Sequence, residues 1–383
     1  MTTRRTFLIL AGAAAGVAGC RSPRRTATMA VPDVLIAETA GGLVVLDGSR
    51  ARDLGTRAAT SPDGAFVYAA GENTLTGPTA TTALEPGWAP QVVSPDGTAC
   101  ALRRADALMV ARGSDRRRYD VPATVQPDAF TCDNTGLFVL QWLAPENPDR
   151  YRVRLMDLTT GVLHPLLTRT KAPVPPGAEE EMRGEGRQAV LSGDREILYT
   201  LYTHQPGHLH TRDLIAGRGG GGVHAFVHVL HLEQRWAYCL DLPHPFGEGP
   251  AESHSVAVDS ASGRLAVVDV ASGSLAYART ESLTIERVDP VPVAAGPAAL
   301  ALAGNRAYVG AGTTVTVLDG STTTRLTAPS PIRGLGLDRD ANLLYLGGTD
   351  EIRWLDAVSG KPRNRTPVPG LTRLRHVVVH PGT

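Results

Sequence analysis

Short apolar runs and polar turns alternate along nearly the whole chain. Between positions 334 and 360 the order is Leu335-Gly336-Leu337, then Asp338-Arg339-Asp340-Ala341-Asn342, then Leu343-Leu344-Tyr345-Leu346. Gly347-Gly348-Thr349-Asp350 and Ile352-Arg353-Trp354-Leu355-Asp356 follow. Runs rich in branched and aromatic residues, bounded by Gly, Asn and Asp, predict strands joined by tight turns.

The pattern repeats. Polar turns starting at Ser61, Ser94, Asp133, Ser192, Asp259, Ala303, Asp338 and His380 each follow a predicted strand, with steps of 33, 39, 59, 67, 44, 35 and 42 residues. Four-stranded propeller blades take about 40–50 residues. A second marker is an apolar strand ending near an Asp, at 44–48, 153–157, 315–320 and 353–356; at 227–231 a His stands in place of the Asp. These predict third strands.

The two ends complete one another. Positions 374–380 supply a first strand and a turn, and 34–47 supply second and third strands. Together they make one blade and close a ring, which leaves no open sheet edge. The expected fold is all-β: a single β-propeller of four-stranded blades, most simply eight, with seven as the alternative. The other units fall near 57–88, 90–122, 127–169, 187–242, 252–291, 296–328 and 331–367. Counted from the shared blade, these are blades two to eight.

Composition fits this reading. The chain has 41 Gly and 28 Pro, as a turn-rich protein needs. Lys+Arg and Asp+Glu are both 38, so no basic face for nucleic acid is implied. Nearly all the positive charge is Arg, Lys171 and Lys361 being the only lysines.

Residues 1–20 read as targeting rather than fold. Thr3-Arg4-Arg5-Thr6-Phe7-Leu8 resembles the twin-arginine export motif. The apolar run from Phe7 to Ala18 is short for a bilayer span, which takes about 20 residues. It ends in Val17-Ala18-Gly19-Cys20, which resembles a lipobox. That resemblance implies lipidation of Cys20 and anchoring at the outer face of the cytoplasmic membrane, in the cell envelope. Residues 21–32 then form a flexible tether and 33–383 the propeller. Cys100, Cys132 and Cys239 remain. Their odd number leaves at least one free thiol; a Cys100–Cys132 disulfide and three small buried strand residues are both open.

Ser61-Pro62-Asp63-Gly64, Ser94-Pro95-Asp96-Gly97 and the Leu-Asp turn at 355–360 resemble the blades of YVTN-type and WD40-like propellers of bacterial surface proteins. The resemblance covers about 31–383 and implies a fold more than a function. The Gly-His and Trp-Asp pairs of true WD40 repeats are absent.

Four segments depart from the repeat, at 144–149, 170–187, 204–223 and 243–254. Alternating strand direction sends all four to one face, around blades four and five. Long loops on a tight repeat often carry binding. Eight of the 11 histidines lie between His204 and His254. Neutral imidazole is a common zinc and copper ligand, so His204, His208, His210, His224, His244 and His254 are candidate metal ligands, with zinc or copper as the ion. His228 and His231 fall on opposite faces of a strand. No catalytic or cofactor-binding residue stands out. The Gly-rich 217–222 lacks the Lys and following helix of a phosphate loop, and Asp338–Asn342 lacks the later ligands of a calcium loop. Glu179-Glu180-Glu181 reads as a solvated charge run.

The first expectation is therefore a membrane-anchored extracytoplasmic lipoprotein, monomeric, whose blade-four and blade-five loops bind a protein, peptide or glycan without catalysis. The alternatives are an exported propeller enzyme (hydrolase, lyase or oxidoreductase) and a metal-binding or sensing module built on the 204–254 histidines.

Overall fold

The computed structural model describes residues 30–378 apart from 106, 145, 220, 221, 260 and 262. Among the described residues there are eight sheets, each built on four antiparallel strands; two carry a fifth strand, and the fifth in blade five forms a parallel edge pair. The export residues Arg4 and Arg5, the lipidation residue Cys20 and the expected turn at 380–383 lie outside the described residues. Among the described residues, no helix is long and apolar enough to cross a membrane.

The ring closes as the sequence predicts. Leu371–Val378 is the inner strand of blade one and pairs antiparallel with Val31–Thr39, followed by Gly42–Gly48 and Arg50–Gly55. Tyr345 of blade eight donates its hydroxyl to Asp33 of blade one at 2.5 Å. The remaining blades span 58–83, 89–120, 125–165, 188–241, 254–290, 298–327 and 335–367.

Inner and middle strands are buried on both faces, so they read as near-continuous apolar runs; Ala307–Ala311 and Phe226–His231 are examples. Outer strands such as Thr322–Thr327 are exposed and rich in Thr. Apolar clusters fill each gap between neighbouring blades. The gap between blades four and five is divided between two of them, one holding Phe138, Leu198 and Leu230, the other Tyr151, Tyr202, Phe226 and Cys239.

The turn after the first strand has one geometry in four successive blades. In blade two, Ser61 donates its hydroxyl to Asp63 Oδ1 at 2.6 Å, and Phe66 N–H donates to Ser61 Oγ at 3.0 Å. Ser94 with Asp96, Thr131 with Asp133 and Ser192 with Asp194 repeat it. The residue after the Asp turns left-handed: Gly64 at φ +77°, Gly97 at +73°, Asn134 at +57° and Arg195 at +65°. A Cβ on Gly97 would lie 2.3 Å from the Phe66 ring, so this glycine also lets neighbouring blades approach.

The structure corrects the reading in several places. The 144–149 segment is no insertion: the second strand runs to Leu143 and the third begins at Asn147, so the pair is an extended hairpin. The 127–169 unit loses its end, because Leu167–Thr168 crosses over and pairs in parallel with Trp236–Asp241 of blade five. Met182–Arg183 returns to pair with Asn147–Asp157 of blade four. Cys100, Cys132 and Cys239 are all free, and Cys132 sits in a turn rather than a strand.

Candidate metal centre

The 170–187 and 204–223 insertions are stapled together beside blades four and five. Gln205, 2 % exposed, accepts from Arg183 N–H at 3.0 Å and donates Nε2 to Arg183 O at 2.9 Å. One amide side chain thus replaces a β-ladder step between two loops. Pro206 and Gly207 then turn the chain, with Gly207 at φ +68°, and His208 N–H closes on Gln205 O at 3.2 Å. His210 caps a short helix, Thr211–Ile215, whose Asp213 and Leu214 amides donate to its carbonyl.

Glu180 does not face solvent. Its neighbours Glu179 and Glu181 pair outward with Arg154 (2.5 Å) and Arg152 (2.6 Å) of blade four. Glu180 turns the other way in this extended segment, and its Oε1 accepts the Thr211 N–H at 2.7 Å. The expectation of a solvated charge run is therefore overturned: each carboxylate has a fixed partner, and Glu180 is only 14 % exposed.

Three donor atoms surround its other oxygen, two of them close to one another as well. Oε2 lies 3.5 Å from His208 Nε2, 3.5 Å from His210 Nδ1 and 3.0 Å from Cys239 Sγ. His208 Nε2 and His210 Nδ1 are buried and have no hydrogen-bond partner. Cys239 comes from blade five's Trp236–Asp241, directly across the ladder from His228, and so faces blade four. Among the described residues, Glu180, His210 and Cys239 are the one group of three or more metal-ligating side chains within 4.8 Å of one another.

A second layer orients the first. His210 Nε2 lies 2.5 Å from Asp241 Oδ1, and Arg212 Nη2 donates to Asp241 Oδ2 at 2.5 Å. This contact holds a proton on Nε2 and turns Nδ1 toward Glu180, so Nδ1 is the nitrogen that an ion would take on displacing its proton. Phe226 stacks on the His208 ring at 4.6 Å and meets the His210 ring edge-on at 5.0 Å, which fixes both planes.

The electrostatics are those of a closed polar site. Burial opposes ionisation of Glu180, but the imidazoles of His208 and His210 outweigh it and hold its carboxyl well below the usual range. Burial also works against charge on His210; Asp241 and Glu180 reverse this and raise it to about 9. Burial first, and then the Glu180 carboxylate, push the Cys239 thiol far up, so it carries its proton and donates it to Oε2. Fully buried His228 is held down to about 4 by burial and is neutral.

A tetrahedral ion with bonds of about 2.0–2.3 Å sets its ligand atoms about 3.3–3.8 Å apart. The two His–Glu separations match that edge, and the 3.0 Å Cys–Glu separation, a hydrogen bond that an ion would replace, is a little shorter. His208 Nε2 stands outside the tight group of Glu180, His210 and Cys239 and must move in to complete a tetrahedron. One carboxylate, two imidazoles and one thiol suit zinc, cobalt or copper and not calcium or magnesium.

The six histidines proposed from sequence divide. His208 and His210 enter the centre. His204 lies beside His254, ring centroids 6.5 Å apart, with its Nδ1 2.8 Å from Thr203 Oγ1. His254 is fully buried and locks the 243–254 loop: its Nε2 accepts the Gly247 N–H at 3.0 Å, and its Nδ1 is 3.1 Å from Pro250 O. Ser253 and Asp269 adjoin it, but all three are buried, so no nucleophile is presented. His224 and His244 flank Glu248 at the surface. His208, His210 and His254 are buried despite lying in or beside the inserted loops, each 6 % exposed or less. Glu180, Cys239 and Asp241 were missed; the only signal for Glu180 was its place in an insertion on the histidine-bearing face.

The protein is thus an eight-bladed propeller with a buried His, Glu and Cys centre between two blades. No family model matches the sequence, and no curated protein matches it. Solved structures do. Apo AztD from Citrobacter koseri aligns over 89 % of this chain and 96 % of its own, at 12 % identity and TM-score 0.54. A second structure of Citrobacter koseri AztD gives 89 % and 95 %, 12 % identity and TM-score 0.53. Sqt1 from Saccharomyces cerevisiae aligns over 90 % and 87 % at 9 % identity and TM-score 0.48. At these identities the likeness concerns the fold.

Proposed function

We propose that this protein is an exported, lipid-anchored propeller whose task is to bind a zinc-like divalent ion between blades four and five. One observation carries the reading. Two buried imidazole nitrogens, His208 Nε2 and His210 Nδ1, have no hydrogen-bond partner and stand 3.5 Å from a carboxylate oxygen that a buried thiol also meets. Leaving buried polar atoms unpaired costs about 1–3 kcal/mol each; an ion bound by all four groups removes that cost. Glu180, His208, His210 and Cys239 would hold the metal, and Asp241 would orient His210. Binding displaces the Cys239 proton and the proton on His210 Nδ1, so affinity falls as pH falls.

With His208 drawn in beside Glu180, His210 and Cys239, four protein donors would close the coordination sphere, which suits storage, sensing or a structural ion rather than catalysis at an open vertex. Export is argued from Arg4, Arg5 and Cys20 alone, and the lipid would hold the site at the outer membrane face. This places the metal-binding alternative ahead of a loop surface for a protein or glycan partner.

Metal analysis of the Cys20→Ser protein, released without its anchor and dialysed, tests the proposal. One tightly held zinc or copper per chain, lost in Cys239→Ser and in His210→Ala, is the expected result. A metal-free protein that also fails to take up zinc, cobalt or copper would refute it.

A further inference from the structure

We propose that His224, His244 and Glu248 form a second, solvent-open site for a zinc-like divalent ion, beside the buried one. This rests on the metal-binding reading above and extends it to a second set of side chains.

Both imidazoles address one carboxylate oxygen, although their nitrogens are more than 4.8 Å apart and an ion must draw the exposed rings together. Glu248 Oε1 lies 2.8 Å from His244 Nδ1 and 3.7 Å from His224 Nε2. Two imidazoles and a carboxylate are the donor set of zinc sites that keep a vertex for water. The three side chains are 34, 76 and 40 % exposed for His224, His244 and Glu248, so the rings can swing onto an ion and water can complete its shell.

The backbone that carries them is built, not loose. Phe246, between His244 and Glu248, is 1 % exposed and anchors the loop in the core shared with blade six. Gly247 has φ +86°, its N–H is bound by His254, and a Cβ there would lie 2.5 Å from His224 O. Only glycine lets the loop press onto the residue that supplies the second imidazole. The same His224 carbonyl accepts the Gln205 N–H at 3.0 Å, and Gln205 is the staple of the buried centre. His224 is also two residues from Phe226, which carries the His208 and His210 rings. The two clusters therefore share one strand entry and one loop.

Their chemistry differs. The outer set lacks a thiol and is wet, so it holds metal more weakly and exchanges it faster than the buried set.

The test is zinc stoichiometry at micromolar free zinc, by equilibrium dialysis with zinc alone, on the full Cys20→Ser chain and three variants of it. We expect two ions on the parent, one on Cys239→Ala, one on His244→Ala/Glu248→Gln, and none on the combined variant. The exposed double substitution should leave the melting temperature unchanged. If His244→Ala/Glu248→Gln binds as many ions as the parent, the outer site is overturned. If instead Cys239→Ala binds as many as the parent, the buried-centre reading falls, and the outer site is still judged by its own variant.

Discussion

His210 Nε2 lies 2.5 Å from Asp241 Oδ1, on the side of the ring away from Glu180. That contact decides which imidazole nitrogen faces Glu180. Asp241 is itself gripped by Arg212, whose Nη1 also donates to Cys239 O at 2.6 Å, so one guanidinium ties the orienting carboxylate to the strand that bears the thiol. Replacing Asp241 with Asn keeps the shape and removes the charge. Metal affinity should fall about 10–100-fold, the usual effect of losing an orienting carboxylate. Competition against a chelator measures it, with circular dichroism to show an intact propeller.

Acid should weaken the fold in two stages. Burial first, and then Arg375, hold His376 to about 4, and burial does the same to His228. An unfolded imidazole titrates near 6.5. These depressed values add stability that is complete above pH about 6.5 and is lost as pH falls to about 4. The turn carboxylates act lower. Burial opposes ionisation of Asp133, but Thr131 and Thr135 outweigh it and hold it at about 2. Its contribution is present above pH about 4 and disappears as pH drops through 2. Urea midpoints measured from pH 7 to 2 should fall in both windows, and His376→Gln should flatten the first. An unchanged slope between pH 6.5 and 4 in that variant would remove His376 from the account.

Two glycines separate backbone strain from packing. Gly48 sits at φ +56° with nothing within 4 Å of an added Cβ, whereas Gly97 sits at +73° with the Phe66 ring 2.3 Å from one. Gly48→Ala should cost about 1–2 kcal/mol, the left-handed penalty alone. Gly97→Ala should cost about 1–3 kcal/mol more, because the ring of the neighbouring blade must move. Denaturant unfolding of the two variants checks the difference.

The ring was legible because its signals are local. A Ser-Pro-Asp-Gly turn is specified within four residues: the hydroxyl, the carboxylate and the left-handed glycine all lie in Ser61–Gly64 or Ser94–Gly97. Strand alternation and turn spacing then give the blade count. The metal centre is not local. Glu180, His208 with His210, and Cys239 come from three segments that meet only when Gln205 staples two loops and Cys239 faces blade four. The His208-x-His210 pair pointed to the right loop. The order of that loop was not legible, because the bonds that fix it run to Arg183 and Glu180, more than twenty residues away in sequence. Likewise the partners of Glu179 and Glu181 are Arg154 and Arg152 of blade four, 25 and 29 residues away, which a local run of three Glu does not reveal.

Cobalt(II) titration of the Cys20→Ser protein tests the central claim most directly, because it reports the thiol and the stoichiometry together. The account predicts a near-ultraviolet thiolate-to-cobalt band that saturates at one equivalent, vanishes in Cys239→Ser and weakens in Glu180→Gln. Cobalt that binds without that band, or a band that survives in Cys239→Ser, would contradict a metal held by Glu180, His208, His210 and Cys239.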